Sequence, residues 1–373
     1  MRIGVPREIK NHEYRIGLTP AGAKELTRCG HQVTVQAGAG ASIGFTDEQY
    51  LVAGARIAAT ASEIFADAEM IIKVKEPQPD EYRQLRPGQI LFTYLHLAPD
   101  PEQTRGLIAS GAVCIAYETV TDASGGLPLL APMSEVAGRM SIQAAAKALE
   151  KAFGGSGVLL GGVPGVTPAH VTVIGGGVVG IHAARMALGL GAEVTILDRS
   201  LTRLREIDND FNGRIRTLFS TQDAIEAELR IADAVIGAVL IPGAAAPKLV
   251  TRDMIKLMKP GSVLVDVAID QGGCAETSRA TTHQEPTYVV DGVTHYCVAN
   301  MPGGVARTST QALTNATLQY AVAIANKGVK RALEEDIHLR KGLNVCRGQV
   351  TCEAVARALD HRYVPPEQVL AAI

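Results

Sequence analysis

The sequence predicts an α/β protein of two domains with parallel sheets, one inserted into the other. Three observations carry this. At 373 residues the chain exceeds one domain of roughly 100–200 residues. Short apolar segments alternate with helical ones through both halves. A glycine-rich stretch without a single Asp, Glu, Lys or Arg between Lys151 and Arg185 separates two such series and opens the second.

The first series begins with an extended segment at 2–5. A helix follows, opened by Thr19 as N-cap with Pro20 at the first position, where its missing N–H costs nothing, and ended by Gly30. Gln32 to Gln36 is extended again, and further apolar strands are expected at 70–74, 90–94 and 113–117. Together, 1–130 read as one domain. Ser134 is positioned to cap a helix over 135–152. The second series runs strand 171–174, helix 178–190, strand 193–197, then strands 234–238 and 263–267. These strands are almost uninterruptedly apolar, as in a parallel sheet covered on both faces. From Thr310 onward the chain reads as helical. The domains are therefore placed at 1–130, 131–304 and 305–373, the last as helices returning to the first domain.

Composition narrows the partners to small molecules. Lys and Arg number 36 against 38 Asp and Glu, a formal net charge of -2, which offers no basic footprint for nucleic acid or acidic lipid. Trp is absent and aromatics make up 4%, too little for base stacking. The six cysteines form no CxxC pair, so neither a disulfide framework nor a metal site is expected. The charged N-terminal phrase MRIGVPREIK leaves no room for a signal peptide, and a cytoplasmic protein with reduced thiols is expected. Prolines and glycines break up the charge-free stretch, which argues against a membrane span.

The strongest motif is Gly175-Gly176-Gly177-Val178-Val179-Gly180, a GxGxxG that follows an apolar strand and opens an apolar helix. Gly175 permits the tight turn, Gly177 lets backbone approach a pyrophosphate, and Gly180 allows close helix–strand packing. The helix N-terminus supplies N–H donors and a positive dipole end. Asp198 closes the next strand, 18 residues beyond Gly180, where a carboxylate can accept from a ribose diol and repel a 2′-phosphate. The cofactor read from this is NAD in a Rossmann-like domain, although neighbouring Arg199 leaves NADP open. The stretch 154–165 lacks the GK[ST] ending of a triphosphate loop.

A dehydrogenase must also hold a substrate and move a proton. Arg15 sits in the loop after the first strand, where a guanidinium can take a carboxylate bidentately. Lys75 ends the strand that begins at Met70. His96 follows the strand 90–94, and an imidazole is the side-chain type suited to proton exchange with a reacting amine or carbonyl. Asp270 follows the strand 263–267. Residues beyond strand carboxyl ends face the usual crevice of α/β sheets, but a lone charged group there is as often a satisfied surface or core residue.

The phrases MRIGVPREIKNHEYRIGLTPAG, KVKEPQ, TYLHLAPD, PMSEVAGRMS, VIGGGVVG, DVAIDQGGCAETS and VTHYCVANMPGGVARTST together resemble the alanine dehydrogenase family over nearly the whole length. The resemblance implies reversible oxidative deamination of L-alanine by NAD, giving pyruvate and ammonium. It also implies a two-domain subunit with a cleft between the domains, assembled as a homohexamer. Substrate contacts fall on Arg15 and Lys75, and the acid-base groups on His96 and Asp270. Cofactor positions fall on Ser134, Val178, Asp198, Arg203, Ser220, Val239 and Leu240, on Val267, Ala268, Ile269 and Asp270, and on Val298, Ala299, Asn300 and Met301. The chain departs from the family at Gly304 and Ala306, where PGAVPRTST is the more common reading. That departure is expected to loosen the return into the last helices. The alternatives are an NAD-binding module like the transhydrogenase α subunit, another amino-acid dehydrogenase such as saccharopine dehydrogenase, and a non-catalytic NAD sensor.

Overall fold

The computed structural model describes residues 1–239 and 246–371. Among the described residues fifteen strands follow one another: β1 (Arg2–Val5), β2 (Gln32–Gln36), β3 (Arg56–Ala58), β4 (Met70–Ile72), β5 (Ile90–Thr93), β6 (Val113–Ala116), β7 (His170–Ile174), β8 (Glu193–Asp198), β9 (Arg216–Phe219), β10 (Ala234–Gly237), β11 (Val263–Asp266), β12 (Thr287–Val290), β13 (Val293–Tyr296), β14 (Leu343–Cys346) and β15 (Gln349–Val350). They form two sheets in two compact units, one of residues 1–133 with the chain from Val305 onward, the other Ser134–Gly304.

In the first unit the order is β15-β14-β6-β5-β4-β1-β2-β3. β1 to β6 are parallel, and β14 and β15 add antiparallel edges. The chain order reverses between β4 and β1, and crevices outside the carboxyl ends of strands at such a switch are where ligands bind in open α/β sheets. Thr19 caps the helix Pro20–Arg28, its side chain accepting from the Gly22 N–H at 3.1 Å. The strand expected over 70–74 stops at Ile72, so Lys73 and Val74 already belong to the exit from the sheet.

The C-terminal stretch departs from the all-helical expectation. After the helix Ala306–Lys327 it returns two strands to the sheet, turned by Arg347 (φ 48°) and Gly348 (φ 82°). A strand of two residues and one of four are too short to show a period in the sequence. Ala306 occupies the first helical position, where the family's proline would also fit.

In the second unit the order is β12-β13-β11-β10-β7-β8-β9, parallel except for the edge strand β12. The switch lies between β7 and β10. The core here is aliphatic, with Val171, Val173, Ile196, Ile236 and Val265 all at or below 1% exposure. The long helix spans Ala131–Ala148 rather than 135–152, so Ser134 stands in its first turn and is not the cap. Pro132 in that first turn is compatible with the earlier start, because the N–H it lacks has no partner there in any helix. Among the described residues no helix is long and apolar enough to cross a membrane.

Candidate active site

In the first unit the three candidate groups follow β1, β4 and β5, which are neighbours in the sheet. Arg15 is 2% exposed, and its Nε and Nη2 are taken by the two carboxylate oxygens of Glu13 at 2.8 and 2.6 Å. The Arg15 backbone N–H also donates to Glu13, and Nη1 reaches Met133 Sδ at 3.1 Å. One edge of the guanidinium fork is thus spent on holding it in place. Burial works against the charge, but the Glu13 carboxylate outweighs it and leaves Arg15 more firmly protonated than in water.

Lys75 is mostly buried, with Nζ 4.0 Å from Glu76 Oε2, and its carbonyl accepts from the Thr93 hydroxyl at 2.9 Å. Burial would push the Glu76 carboxyl up, but Lys75 and Lys10 overcome it and hold it below the usual carboxylate range. Beneath Lys75 sits a wholly buried triad. Lys73 Nζ donates to Glu8 Oε2 at 3.0 Å and forms an ion pair with Glu81 Oε1 at 2.7 Å. Glu8 Oε1 takes the Val74 N–H at 2.7 Å, so the triad clamps the chain as it leaves β4 toward Lys75.

His96 has the left-handed backbone conformation (φ 47°) that disfavours residues with a Cβ. Glu118 holds it there. Its carboxylate accepts the His96 N–H at 2.6 Å and the Leu95 N–H at 3.2 Å, and one oxygen lies 3.9 Å from His96 Nδ1. The imidazole, 44% exposed, stacks on Tyr94 with centroids 5.7 Å apart and planes 8° from parallel. Burial pushes the Tyr94 hydroxyl up and Arg15 pulls it back, so Tyr94 lies within electrostatic reach of Arg15 while touching His96. Glu13, Tyr94, Glu118 and Lys73 were missed in the sequence. Glu118 and Lys73 find their partners on distant segments and left no mark in the sequence, whereas Glu13 and Tyr94 stand two residues from Arg15 and His96, inside the phrases that carry them.

In the second unit the fingerprint lies at the switch point. A Cβ on Gly175 (φ 104°) would meet the Ala238 carbonyl oxygen at 2.7 Å, and one on Gly180 would sit 1.9 Å from the Gly175 carbonyl oxygen, so both positions exclude a side chain. A Cβ on Gly177 would meet nothing within 4 Å. Gly177 caps the helix Val178–Gly189 without any side-chain bond to its first N–H groups, and Val178 is exposed while Val179 is buried. The open space at this helix N-terminus fits a diphosphate. Asp198, at the end of β8, accepts the Gly176 and Ser200 N–H groups at 2.8 Å each, and Arg203 Nε donates to the Gly176 carbonyl at 2.7 Å. A half-buried carboxylate so anchored retains lone pairs for a ribose diol, and the residues present fit a dinucleotide.

The other cofactor candidates follow carboxyl ends of strands in the same sheet: Ser220 after β9, Val239 after β10, Val267–Gln271 as a 3₁₀ turn after β11, and 298–301 after β13. Leu240 lies outside the described residues. Val298 and Met301 are buried in the core, so only their backbone is available to a ligand. Asp270 is exposed and accepts the Asn300 N–H at 3.4 Å. Its loop is tied down by buried Asp266, whose Oδ2 takes the Cys274 N–H at 2.8 Å and the Ser278 hydroxyl at 2.5 Å.

Comparison with known proteins gives the family. The family model "Alanine dehydrogenase/PNT, N-terminal domain" matches residues 4–137, and "Alanine dehydrogenase/PNT, C-terminal domain" matches 141–353. The chain is 65% identical to the alanine dehydrogenase of Halomonas elongata, over 98% of each chain. It is 57% identical to that of Bacillus subtilis, over 99% of this chain and 98% of the other. A solved L-alanine dehydrogenase superposes with TM-score 0.94 at 50% identity, covering 96% of this chain and 99% of that one. A transhydrogenase from Sinorhizobium meliloti superposes with TM-score 0.81 at 25% identity, covering 95% and 100%. With the two family models together matching most of the chain and relatives this similar over nearly its whole length, the chain belongs to the alanine dehydrogenase/PNT family.

Proposed function

We propose that this chain is an NAD-dependent alanine dehydrogenase, catalysing the reversible oxidative deamination of L-alanine to pyruvate and ammonium. The observation that carries the reading is that Arg15, Lys75, His96 and Asp270 are all intact in a chain 65% identical to an alanine dehydrogenase over 98% of its length. NAD, when bound by 175–180 and Asp198, supplies the two-electron acceptor for the α-hydrogen. Arg15 holds the substrate carboxylate through its guanidinium, which Glu13 keeps in place. Lys75, beside the negative Glu76, attracts the carboxylate or the developing carbonyl oxygen. Deamination adds water to an imine and collapses a carbinolamine, so protons must be taken up and returned. His96, exposed and held by Glu118, does part of this at its imidazole, and Asp270 the rest at its carboxylate. The homohexamer and the cytoplasmic location belong to the same reading, supported by the family resemblance, and light scattering on the purified protein tests the assembly.

The first experiment follows NADH oxidation with pyruvate and ammonium together, beside controls that omit each. Turnover is expected only with both. NADH binding without turnover would sink the reading in favour of a binding module of the transhydrogenase kind, to which the TM-score of 0.81 points.

Cofactor choice gives a second test. Asp198→Asn removes the charge that opposes a 2′-phosphate and keeps an acceptor for one of the two backbone N–H groups. The ratio of kcat/KM for NAD over NADP is expected to fall by about tenfold or more, as loss of roughly 1.4 kcal/mol of discrimination requires. An unchanged ratio would show that Asp198 does not face the ribose.

A further inference from the structure

Gly304, where the family more often carries alanine, has no left-handed backbone angle to explain it. The explanation is space. A Cβ there would lie 2.6 Å from His283 Cε1, 3.1 Å from His283 Nδ1 and 2.8 Å from Met140 Cε. The imidazole that fills this space is bonded: His283 Nε2 lies 3.1 Å from the Asn300 carbonyl oxygen, and because a carbonyl only accepts, Nε2 carries the hydrogen.

Asn300 is where this bond matters. It is held in the left-handed region (φ 67°), and its own N–H is directed at Asp270 Oδ1, 3.4 Å away. The carbonyl that accepts from His283 also accepts from the Gly303 N–H at 3.0 Å, which closes the turn. The two segments are tied further upstream as well, by the Thr281 N–H to the Cys297 carbonyl at 2.8 Å and the Ala299 N–H to the Thr281 carbonyl at 3.2 Å. His283 is therefore the last rung of a short ladder that fixes the turn facing Asp270.

We infer that His283, admitted by Gly304, is a positioning residue for Asp270, acting through Asn300. The inference rests on the reading of Asp270 as an acid-base group. His283 touches neither substrate nor cofactor in this role. It sets the direction of the Asn300 N–H and so the orientation of the Asp270 carboxylate.

The test is a double-mutant cycle on the full-length protein. Gly304→Ala displaces only the ends of two flexible side chains, so the variant is expected to fold while its His283 ring swings off Asn300. Gly304→Ala and His283→Ala should each lower kcat for alanine oxidation roughly tenfold, as small misplacements of a reacting group do, with KM for alanine little changed because Arg15 and Lys75 are untouched. The double variant should be no worse than His283→Ala alone, and His283→Gln, which keeps an N–H donor, should recover part of the loss. Hydrogen exchange of the peptide carrying Asn300 to Gly303 should quicken in both single variants. Wild-type kcat and exchange in both, or fully additive losses in the double variant, would overturn the inference. If the wild-type protein does not oxidise alanine at all, the functional reading fails first. The exchange measurement then still decides the anchor, with quickened exchange upholding it and unchanged exchange overturning it.

Discussion

Replacing His96 with alanine is expected to lower kcat for alanine oxidation by roughly 10²- to 10⁴-fold, the usual worth of a positioned acid-base group, and to leave NADH binding intact. The structure explains why the loss would be chemical. The ring is 44% exposed and its main contact is the Tyr94 stack, so truncation leaves no cavity and no buried charge. The backbone bonds to Glu118 do not depend on the side chain. A second variant sharpens this. His96→Gly removes the Cβ from a backbone angle of 47°, a relief of roughly 1–2 kcal/mol, against loss of the aromatic contact and the flexibility of glycine, roughly 1 kcal/mol each. These nearly cancel, so the melting temperature should stay close to wild type while turnover collapses. Steady-state kinetics, NADH fluorescence titration and a thermal melt on both variants decide it. Retained turnover would remove His96 from the chemistry, and a collapsed melting temperature would make it a structural residue.

What the sequence shows of this site follows physical lines. The strand, turn and helix from 171 to 190 are legible because apolar runs and glycines act locally, and Asp198 is legible because it closes the next strand. Arg15, Lys75 and His96 stand out by position after strands. Their supports do not. Glu118 acts on His96 from 22 residues away, through the pairing of β5 with β6, and nothing in its own neighbourhood marks it. Lys73 looks in the phrase KVKEPQPDEY like one more solvated charge, yet it is the fully buried one. Ser134 resembles a cap, but the helix had already begun around Pro132. Gly304 was read as a source of looseness, whereas the space it leaves is filled by a bonded imidazole.

The buried triad predicts the largest effect on stability. Lys73→Met leaves Glu8 and Glu81 buried without a counter-charge, and breaking a buried ion pair from one side costs about 3–5 kcal/mol. The penalty should depend on pH in a defined direction. Burial already raises the Glu8 carboxyl above 4.5, Lys73 pulls it back, and Glu81 pushes it further up. For an acid whose folded value is raised, the native state binds more protons than the unfolded one. That contribution is complete below the unfolded value and is lost as pH rises through the folded value. Removing Lys73 takes away the charge that most lowers Glu8, so the loss extends to higher pH. The difference in unfolding free energy between wild type and variant should be smaller near about pH 5 than near about pH 8, measured by urea denaturation. Lys73→Met with Glu8→Gln and Glu81→Gln should recover much of the loss, since a buried triad replaced as a whole is often close to neutral. A pH-independent penalty would mean that the two carboxyls reach water once Lys73 is gone. Because Glu8 also takes the Val74 N–H, the same melt should be paired with KM for alanine: if the triad aims Lys75, KM rises in Lys73→Met even at a pH where the variant is fully folded.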